Sequence, residues 1–589
     1  MGKVFLEIKK KSNKQYILKI LGFLSFILIF LALILIDINS PAKGYEISVY
    51  TSLPRLIWIF LILAAVTGIG IIVHQAFTSS KNNLWSIGFL ILIITDFIIL
   101  SLQFFRNYYI SSYSDPMYHL YLSSVIASEG SIGGILYPVT HILGAIFIEI
   151  CNLSPEIVIK YIPVIFTILF IFFTYLLSTV VSFKREQAVL TSACSTILLF
   201  SYYHIAAYPH ALSLLSFPLF FYVYFKSSNN RSLNWRIPLI ILLFIFPFFH
   251  PITEITIIFC LIIGEIMKLI WVKRTSHNIE NMNITINLFF ISLATFFLWI
   301  YNFSTFIITT KYALKWPYGE PPVYLRKQEI KPIFALELEK QIEIFIKMYG
   351  HNFIFVSLSL IALLITIIYF FKRKKGNMNL FVISMLFISS QLIYSLIFLN
   401  IPFMPWGRAL GANVGMWATP VLIGFVLYKV FKRFRKTGII ITSIILFFTF
   451  IISIFGIYRS PWIHQPNWQI TQMDLKGSNW FNLHKNEEFQ YSPMGWSGGY
   501  YHWYYHFPSN FGYPEYKSIG EYIKKETYIA LTERFIQALS NQILKEWINI
   551  SPDLARSDFN RSDFDMLEKD FSVNKIYSNK EFRVLLVLP

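Results

Sequence analysis

Long apolar runs constrain this chain more than any other feature of its sequence. Thirteen of them lie between residues 17 and 457, and most approach the roughly 20 residues that a helix needs to cross a bilayer. The runs lie at 17–37, 55–76, 85–105, 161–182, 187–204, 209–225, 237–249, 252–272, 284–307, 351–371, 378–399, 412–430 and 438–457. The sequence therefore predicts an all-α polytopic membrane protein with about thirteen transmembrane helices, whose first partner is the lipid bilayer.

The charge of the chain agrees with this class and argues against nucleic-acid binding. Of the 589 residues, 55% are hydrophobic and only 14% are charged. The net charge of +18 comes from the first 457 residues, which hold 36 Lys and Arg against 17 Asp and Glu. Because these basic residues form short clusters between the apolar runs, they are typical of cytoplasmic loops, and no nucleic-acid partner is predicted.

The same clusters predict the orientation. If the N-terminus is cytoplasmic and the segment 135–150 re-enters the membrane without crossing it, every cluster falls on the cytoplasmic side. The clusters are Lys81, Lys184 and Arg185, Lys226, Arg231 and Arg236, Lys273 and Arg274, residues 372–375 and residues 432–436. We therefore expect a transmembrane domain at 1–457 in the cell membrane and a small extracellular domain at 458–589.

The tail after residue 457 reads as an α+β domain. An amphipathic helical pattern covers 519–548, and the ending "KIYSNKEFRVLLV" predicts two strands around residues 578–580. The aromatic-rich stretch 493–514 suits stacking on sugar rings, and equally a small aromatic core. Two glycosylation sequons fall at Asn549 and Asn560. The three cysteines, Cys151, Cys194 and Cys260, are expected to be buried hydrophobic residues, with neither a disulfide nor a zinc site.

The stretch "SYSDPMYHLY" at 112–121 carries the acidic group with the most chemical promise. Asp115 precedes Pro116, a combination that starts helices, and His119 follows four residues later on the same helical face. The carboxylate therefore has two interpretations, as a helix cap and as a general base with an imidazole partner. Downstream, Tyr137-Pro138 and His141 follow a glycine-containing loop.

An acidic residue in a large external loop, followed by a helix and a "YP" element that re-enters the membrane, resembles the GT-C superfamily of membrane glycosyltransferases. The segments 41–61, 470–481 and 575–587 are also similar to parts of large archaeal membrane proteins near that superfamily. Two features depart from the pattern: the acidic loop follows the third helix rather than the first, and the tail has no "WWDYG" stretch. The second departure argues against transfer of a whole oligosaccharide to asparagine.

The resemblance implies an external active site that takes a sugar from a polyprenyl (dolichyl) phosphate and passes it to a hydroxyl of a protein, glycan or lipid. Asp115 would be the catalytic base. The substrate-binding candidates are His119, Tyr137, His141, His250, Glu254 and Arg408. Arg408, near the outer end of a predicted span, is the candidate for the lipid phosphate, and it equally suits an arginine that reaches the lipid headgroups.

Other readings of the chain remain open at this stage. An Asp and a His four residues apart are compatible with a divalent metal ion and do not require one. Asp96 lies in the middle of the third apolar run, where a carboxyl group is costly and typical of proton-coupled transporters. The main alternative is therefore a non-catalytic transporter or flippase of a lipid-linked or small polar solute, and an inactive assembly protein is a third possibility.

Overall fold

The fold is known from a computed structural model. It describes residues 2–39, 41–79, 82–111, 115–182, 184–229, 232–275, 286–301, 303, 337–372, 377–400, 413–493, 526–541, 544, 565, 567–570 and 572–588. Arg408, most of the aromatic stretch 493–514 and both predicted glycosylation sequons lie outside these residues.

Helices make up most of the described chain. Apart from two four-residue turns of helix at Val49–Ser52 and Leu102–Phe105, the first nine are α1 (Gly2–Ile38), α2 (Arg55–Thr78), α3 (Trp85–Leu100), α4 (Asp115–Glu129), α5 (Val139–Cys151), α6 (Pro155–Val181), α7 (Arg185–Ser195), α8 (Pro209–Leu215) and α9 (Phe217–Asn229). The others are α10 (Leu233–Ile245), α11 (Pro251–Thr275), α12 (Ile286–Ile300), α13 (Leu338–Phe371), α14 (Met378–Asn400), α15 (Thr419–Phe431), α16 (Arg435–Phe455), α17 (Gln472–His484) and α18 (Glu533–Ser540).

Seven helical segments in the described chain are long and apolar enough to cross a membrane, which makes this a multi-pass membrane protein. They are Gln15–Ile38, Arg55–Thr78, Pro155–Val181, Pro251–Arg274, Leu338–Phe371, Met378–Ser395 and Val414–Phe455. The last covers two of the predicted runs, and the predicted number of thirteen spans is not confirmed. On α1, Phe23 and Phe30 are more than 60% exposed, as expected for side chains that contact lipid.

Two predicted spans, 187–204 and 209–225, are not continuous helices. The chain leaves the helical path after α7, and the buried ring of His204 takes over a hydrogen bond of the backbone: its Nε2 accepts from the Phe200 amide at 3.0 Å. The second run breaks between α8 and α9 at Ser216, just before Phe217-Pro218, because Pro218 has no N–H to donate to the Leu214 carbonyl oxygen of a continuous helix. Periodicity does not detect either break.

Small residues allow the first helices to pack closely. A Cβ atom added to Gly68 of α2 would lie 2.9 Å from the carbonyl oxygen of Gly88 on α3, and one added to Gly88 would lie 2.6 Å from that of Gly68. Both distances are shorter than van der Waals contact. The α2–α3 crossing therefore depends on the two glycines. Small residues are common at such crossings because the hydrophobic effect does not drive helices together within a membrane, and close van der Waals packing is needed instead.

The basic loops meet at one end of the helical bundle, which we call the basic end. The Arg185 guanidinium donates to Asn83 Oδ1 at 2.6 Å, which joins the loop after α6 to the loop after α2. The Lys432 ammonium group donates to the Ser79 hydroxyl at 3.2 Å, which brings the α15–α16 turn to the same place. Arg185 and Lys432, which come from two of the predicted positive clusters, therefore lie at the same end of the bundle.

The described tail contains a four-stranded sheet in the order β1-β2-β4-β3. The strands are β1 (Gln490–Pro493), β2 (Thr527–Thr532), β3 (Val573–Ser578) and β4 (Phe582–Val587). The two predicted final strands are confirmed as the antiparallel pair β3–β4. The helix predicted over 519–548 is wrong at 527–532, since these residues form β2, whose six residues are all buried between β1 and β4. Tertiary pairing on both edges outweighs the local helical pattern.

Two smaller predictions have mixed outcomes. Cys194 and Cys260 are buried as expected, whereas Cys151, the last residue of α5, is exposed, so that prediction is wrong. The ambiguous segment 135–150 contains α5, whose 13 residues are fewer than a crossing of the bilayer requires. This helix packs on α4 rather than passing through the bundle as a separate span.

Candidate functional site

Helix α4 carries the predicted base at its first turn. It begins at Asp115, as the Asp-Pro pair predicts, and the Asp115 side chain is partly buried. His119 lies one turn further along the same face and is only 4% exposed. The buried face of α4 packs against the tail, because Met117 and Leu120 belong to the same apolar cluster as Phe582 of the sheet.

His119 and His141 form a buried pair. His119 Nδ1 and His141 Nε2 are 2.9 Å apart, so one ring donates its N–H to the other. Burial lowers the pKa of His119 to about 3, which keeps this ring neutral at physiological pH. A neutral pair of this kind shares one N–H···N hydrogen bond. This bond connects α4 to α5 one helical turn from Asp115.

A glycine allows the two helices to approach closely enough for this bond. A Cβ atom on Gly144 of α5 would lie 2.8 Å from the Cβ of Ser123 on α4. The Ser123 hydroxyl in turn donates to the carbonyl oxygen of His119 at 2.9 Å. The α4–α5 spacing, and with it the histidine pair, is therefore set by the absence of a side chain at position 144.

Further rings extend from this pair across the bundle. The ring centroid of Tyr137 lies 6.5 Å from that of His141 and 5.4 Å from that of His250, which begins the turn into α11. His210 of α8 follows, 4.9 Å from His250. The predicted residues His119, Tyr137, His141 and His250 thus form a continuous row of rings, which we call the His–Tyr row.

Two residues close to the His–Tyr row were not predicted from the sequence. His210 extends the row, and Tyr208 places its ring 6.5 Å from that of His119. Both come from the segment "YYHIAAYPH", which the sequence marks only as a short connection without Lys or Arg. The signal available was the tyrosine and histidine next to Pro209 at the start of a helix, and on its own it is too common to single them out.

The turn before α5 is held in place from another helix. The Trp299 indole N–H, near the end of α12, donates to the Leu136 carbonyl oxygen at 2.6 Å. His250 is fixed by its own helix, since its Nδ1 accepts from the Ile252 amide at 3.3 Å and its carbonyl oxygen accepts from the Glu254 amide. The row is therefore built on packed elements, which favours a preorganised site.

Glu254 is directed toward α12. Its carboxylate is fully buried and accepts a hydrogen bond from the Ser292 hydroxyl. The structure thus places it one helical turn from His250, with its identified partner on a neighbouring helix. Among the residues that the structure describes, no three His, Cys, Asp or Glu side chains converge as metal ligands would.

A buried polar junction connects the site to the tail. The Glu46 carboxylate forms an ion pair with Arg106 and accepts a hydrogen bond from the Tyr108 hydroxyl at 2.6 Å. The backbone of Glu46 is bound by the tail, because its amide donates to Gln469 Oε1 and its carbonyl oxygen accepts from Asn467 Nδ2, both at 2.8 Å. This junction joins residues from the loop after α1, the segment before α4 and the start of the tail.

Just beyond the junction, the segment before α4 pairs directly with the tail. The Tyr109 amide donates to the Ile470 carbonyl oxygen at 3.0 Å, and the Ile470 amide donates to the Ile110 carbonyl oxygen at 2.8 Å. The tail is therefore fixed at the same end of the bundle as Asp115 and the His–Tyr row, away from the basic end. We call this the site end.

Comparison with known proteins adds no family to this description: no protein-family model matches the chain, and no curated protein matches it. The fold and the site together define a multi-pass helical membrane protein with a small C-terminal sheet and a row of buried and partly buried imidazole and phenol rings. The row lies at the end of the bundle where the tail is attached.

Proposed function

We propose that this chain is a membrane glycosyltransferase that moves a sugar from a polyprenyl phosphate to an acceptor hydroxyl on the external face of the cell membrane. The observation that carries the proposal is the convergence of four predicted site residues, His119, Tyr137, His141 and His250, in one row beside the helix that Asp115 begins. If each of these residues had only a structural role in its own helix or turn, there would be no reason for the four of them to lie next to one another.

The orientation follows from charge. The basic end is cytoplasmic by the positive-inside rule, and the site end is then external, with the tail attached to it. Lipid-linked sugars that reach the outer leaflet would enter from the bilayer beside α4 and α5. The resemblance to the GT-C superfamily, which rests on Asp115 and on the "YP" element at Tyr137, supports the same donor class.

Asp115 acts as the base in this proposal. The acceptor oxygen attacks the anomeric carbon of the sugar while the bond from that carbon to the phosphate oxygen breaks, with inversion of configuration. The proton of the acceptor hydroxyl passes to the Asp115 carboxylate, and the lipid phosphate leaves with the bonding electron pair. A positioned base contributes about 10² to 10⁴ in rate. The neutral His119–His141 pair holds α4 and α5 at the spacing that this geometry needs.

The test is to incubate the purified protein with a panel of polyprenyl-phosphate sugars and to measure loss of sugar from each. Asp115→Asn should reduce transfer by about 10²-fold or more without reducing membrane insertion. Glu129→Gln is the matched control, because Glu129 is the exposed last residue of the same helix. Normal transfer by the Asp115 variant would remove the proposed base, and failure to consume any donor would remove the proposed function.

A transporter is the second candidate, and one observation favours it. The Asp96 side chain on α3 is fully buried, and neither of its carboxyl oxygens has a hydrogen-bond partner within the described part of the chain. A carboxyl group in that position suits the binding and release of a proton during transport. Asp96→Asn should abolish proton-linked uptake by a carrier, whereas in a transferase it should leave sugar transfer intact.

A further inference from the structure

An arginine at the site end is held by aromatic rings alone. Arg459 follows α16 by four residues, and its guanidinium carbon lies 4.4 Å from the ring centroid of Tyr202 and 2.8 Å from that of Trp468. Within the described ranges, neither a carboxylate nor another hydrogen-bond acceptor pairs with this guanidinium. Its planar set of N–H donors is therefore available to a ligand, while the rings fix its orientation.

The guanidinium opens into a small cleft, and among the described residues that line this cleft Arg459 is the one charged side chain. Its other polar lining residues are Ser111, Tyr202, Tyr458 and Asn467, and apolar walls are supplied by Ile205 and Ile457. The Asn467 amide is already used in the polar junction, where it donates to the Glu46 carbonyl oxygen and accepts from the Gln469 amide. The hydroxyl groups of Ser111 and Tyr202 remain as donors beside the cation, a set that matches the oxygens of a phosphate group.

The cleft is rigid on the side of Arg459. The hydroxyl of the preceding residue, Tyr458, donates to the Ile99 carbonyl oxygen at 2.9 Å, and the Tyr458 amide donates to the Tyr50 hydroxyl at 3.0 Å. These bonds tie the end of α16 to α3 and to the loop before α2. The guanidinium consequently has little freedom to leave the cleft for another partner.

The cleft is also close to the proposed base. Ser111 precedes Asp115 by four residues, which span at most about 14 Å even when fully extended. A group bound beside Ser111 therefore lies within the reach of one lipid headgroup from the start of α4.

We propose that the Arg459 cleft is a phosphate-binding site, and that the phosphate it takes is the terminal group of a polyprenyl lipid. The guanidinium forms two parallel hydrogen bonds to phosphate oxygens, the hydroxyls of Ser111 and Tyr202 bind the remaining oxygen, and Ile205 and Ile457 flank the first carbons of the chain. The choice of a polyprenyl lipid rests on the proposed function, whereas recognition of phosphate does not.

The test measures binding rather than transfer. Full-length protein in maltoside micelles, which contain no phosphate, is titrated with a short polyprenyl phosphate, the matching polyprenol, phosphatidylglycerol and inorganic phosphate. The wild type should bind the polyprenyl phosphate at least about tenfold more tightly than the polyprenol. Arg459→Gln should lose about 10- to 100-fold in affinity, the range expected for hydrogen bonds to a charged group. Arg459→Lys should lose less.

Two variants serve as controls. Arg433→Gln removes an exposed arginine of the basic end whose guanidinium, within the part of the chain that the structure describes, contacts the ring of Phe434 at 5.8 Å. The affinity of this variant should equal that of the wild type. Tyr202→Phe keeps both ring contacts and removes one hydroxyl, so it should fold and lose a few-fold in affinity. This second variant keeps the test valid if Arg459→Gln does not fold.

Each result has a defined meaning. Equal binding of polyprenol and polyprenyl phosphate, or full affinity in both Arg459→Gln and Tyr202→Phe, would overturn the site. Equal binding of phosphatidylglycerol would retain the phosphate site and overturn its preference for a polyprenyl lipid, and displacement by inorganic phosphate would show that the phosphate group alone is recognised. Arg459-dependent binding without consumption of any sugar donor would leave this site in place and refute the proposed transfer.

Discussion

Replacing Glu46 with glutamine should destabilise the protein strongly, because Glu46 belongs to a buried ion pair. The Arg106 and Glu46 side chains are 6% and 10% exposed, so both charges have been removed from water and compensate each other. With glutamine at position 46, the Arg106 guanidinium stays buried beside a neutral amide, which has one hydrogen-bond acceptor atom where the carboxylate has two. Breaking a buried pair in this way costs about 3 to 5 kcal/mol of the free energy of unfolding.

The measurement is equilibrium unfolding in mixed maltoside and dodecyl sulfate micelles, followed by tryptophan fluorescence. The matched control is Glu343→Gln, which breaks the pair between Glu343 and Lys347 on α13, where the side chains are 47% and 19% exposed. A surface pair of this spacing contributes about 0.3 to 0.5 kcal/mol. The two substitutions change the same functional group, in a buried pair in one case and in a more exposed pair in the other.

A double substitution, Glu46→Gln with Arg106→Gln, separates the loss of the pair from other effects. Since it leaves no unpaired charge in the junction, it should cost less than the sum of the two single changes. If Glu46→Gln costs no more than Glu343→Gln, or if the single effects are additive, the assignment of this junction as a coupled buried ion pair is refuted.

Three further predictions concern the tail and the α4–α5 contact. Burial, together with the nearby Asp474 and Glu533, raises the pKa of Glu581 from 4.5 to about 7, although the Tyr45 amide and Arg583 oppose this shift. Because the folded state then binds this proton more tightly than the unfolded state, the free energy of unfolding should fall as the pH rises from 4.5 to about 7. Glu581→Gln should remove this pH dependence from thermal unfolding curves. Gly144→Val should separate α4 from α5, cost about 1 to 3 kcal/mol of the free energy of unfolding and reduce sugar transfer. Gly134→Val is the control and should have none of these effects, because the space around Gly134 is open. Equal melting temperatures for the two variants would contradict the close approach at Gly144. His141→Phe should keep a ring at this position and remove the hydrogen bond to the buried His119, which should cost about 1 to 3 kcal/mol and reduce the rate of transfer. An unchanged rate would show that the pair does not position the site.

Much of the fold is local enough to follow from the sequence. Apolar runs of spanning length predict α1 and α2 directly, because a helix in lipid must satisfy its own backbone hydrogen bonds. The Asp115-Pro116 pair predicts the start of α4, since it supplies a cap and a preset backbone angle. The failures also have a physical pattern. The strand Thr527–Thr532, for example, depends on pairing with β4, whose residues lie fifty or more positions away along the chain.

The candidate site could be predicted only as separate residues. His119 and His141 were identified for different reasons, and the sequence contains nothing that sets the distance of 2.9 Å between their nitrogens. His210 was missed because a histidine after a proline has no chemical meaning until His250 is found beside it. Arg459 was likewise unremarkable, since an arginine after a transmembrane helix usually faces headgroups.

The sequence by itself determined that the chain is a multi-pass helical membrane protein and that a pair of strands forms near its C-terminus, and it predicts that the basic loops share one side. These properties depend on composition, charge and short-range periodicity, which are written along the chain. Only the tertiary structure decided that Glu46 meets Arg106, that the tail packs on α4 and that rings from α4, α5, α8 and the turn before α11 form one row. Those contacts join residues tens to hundreds of positions apart, and their geometry depends on how closely the helices pack.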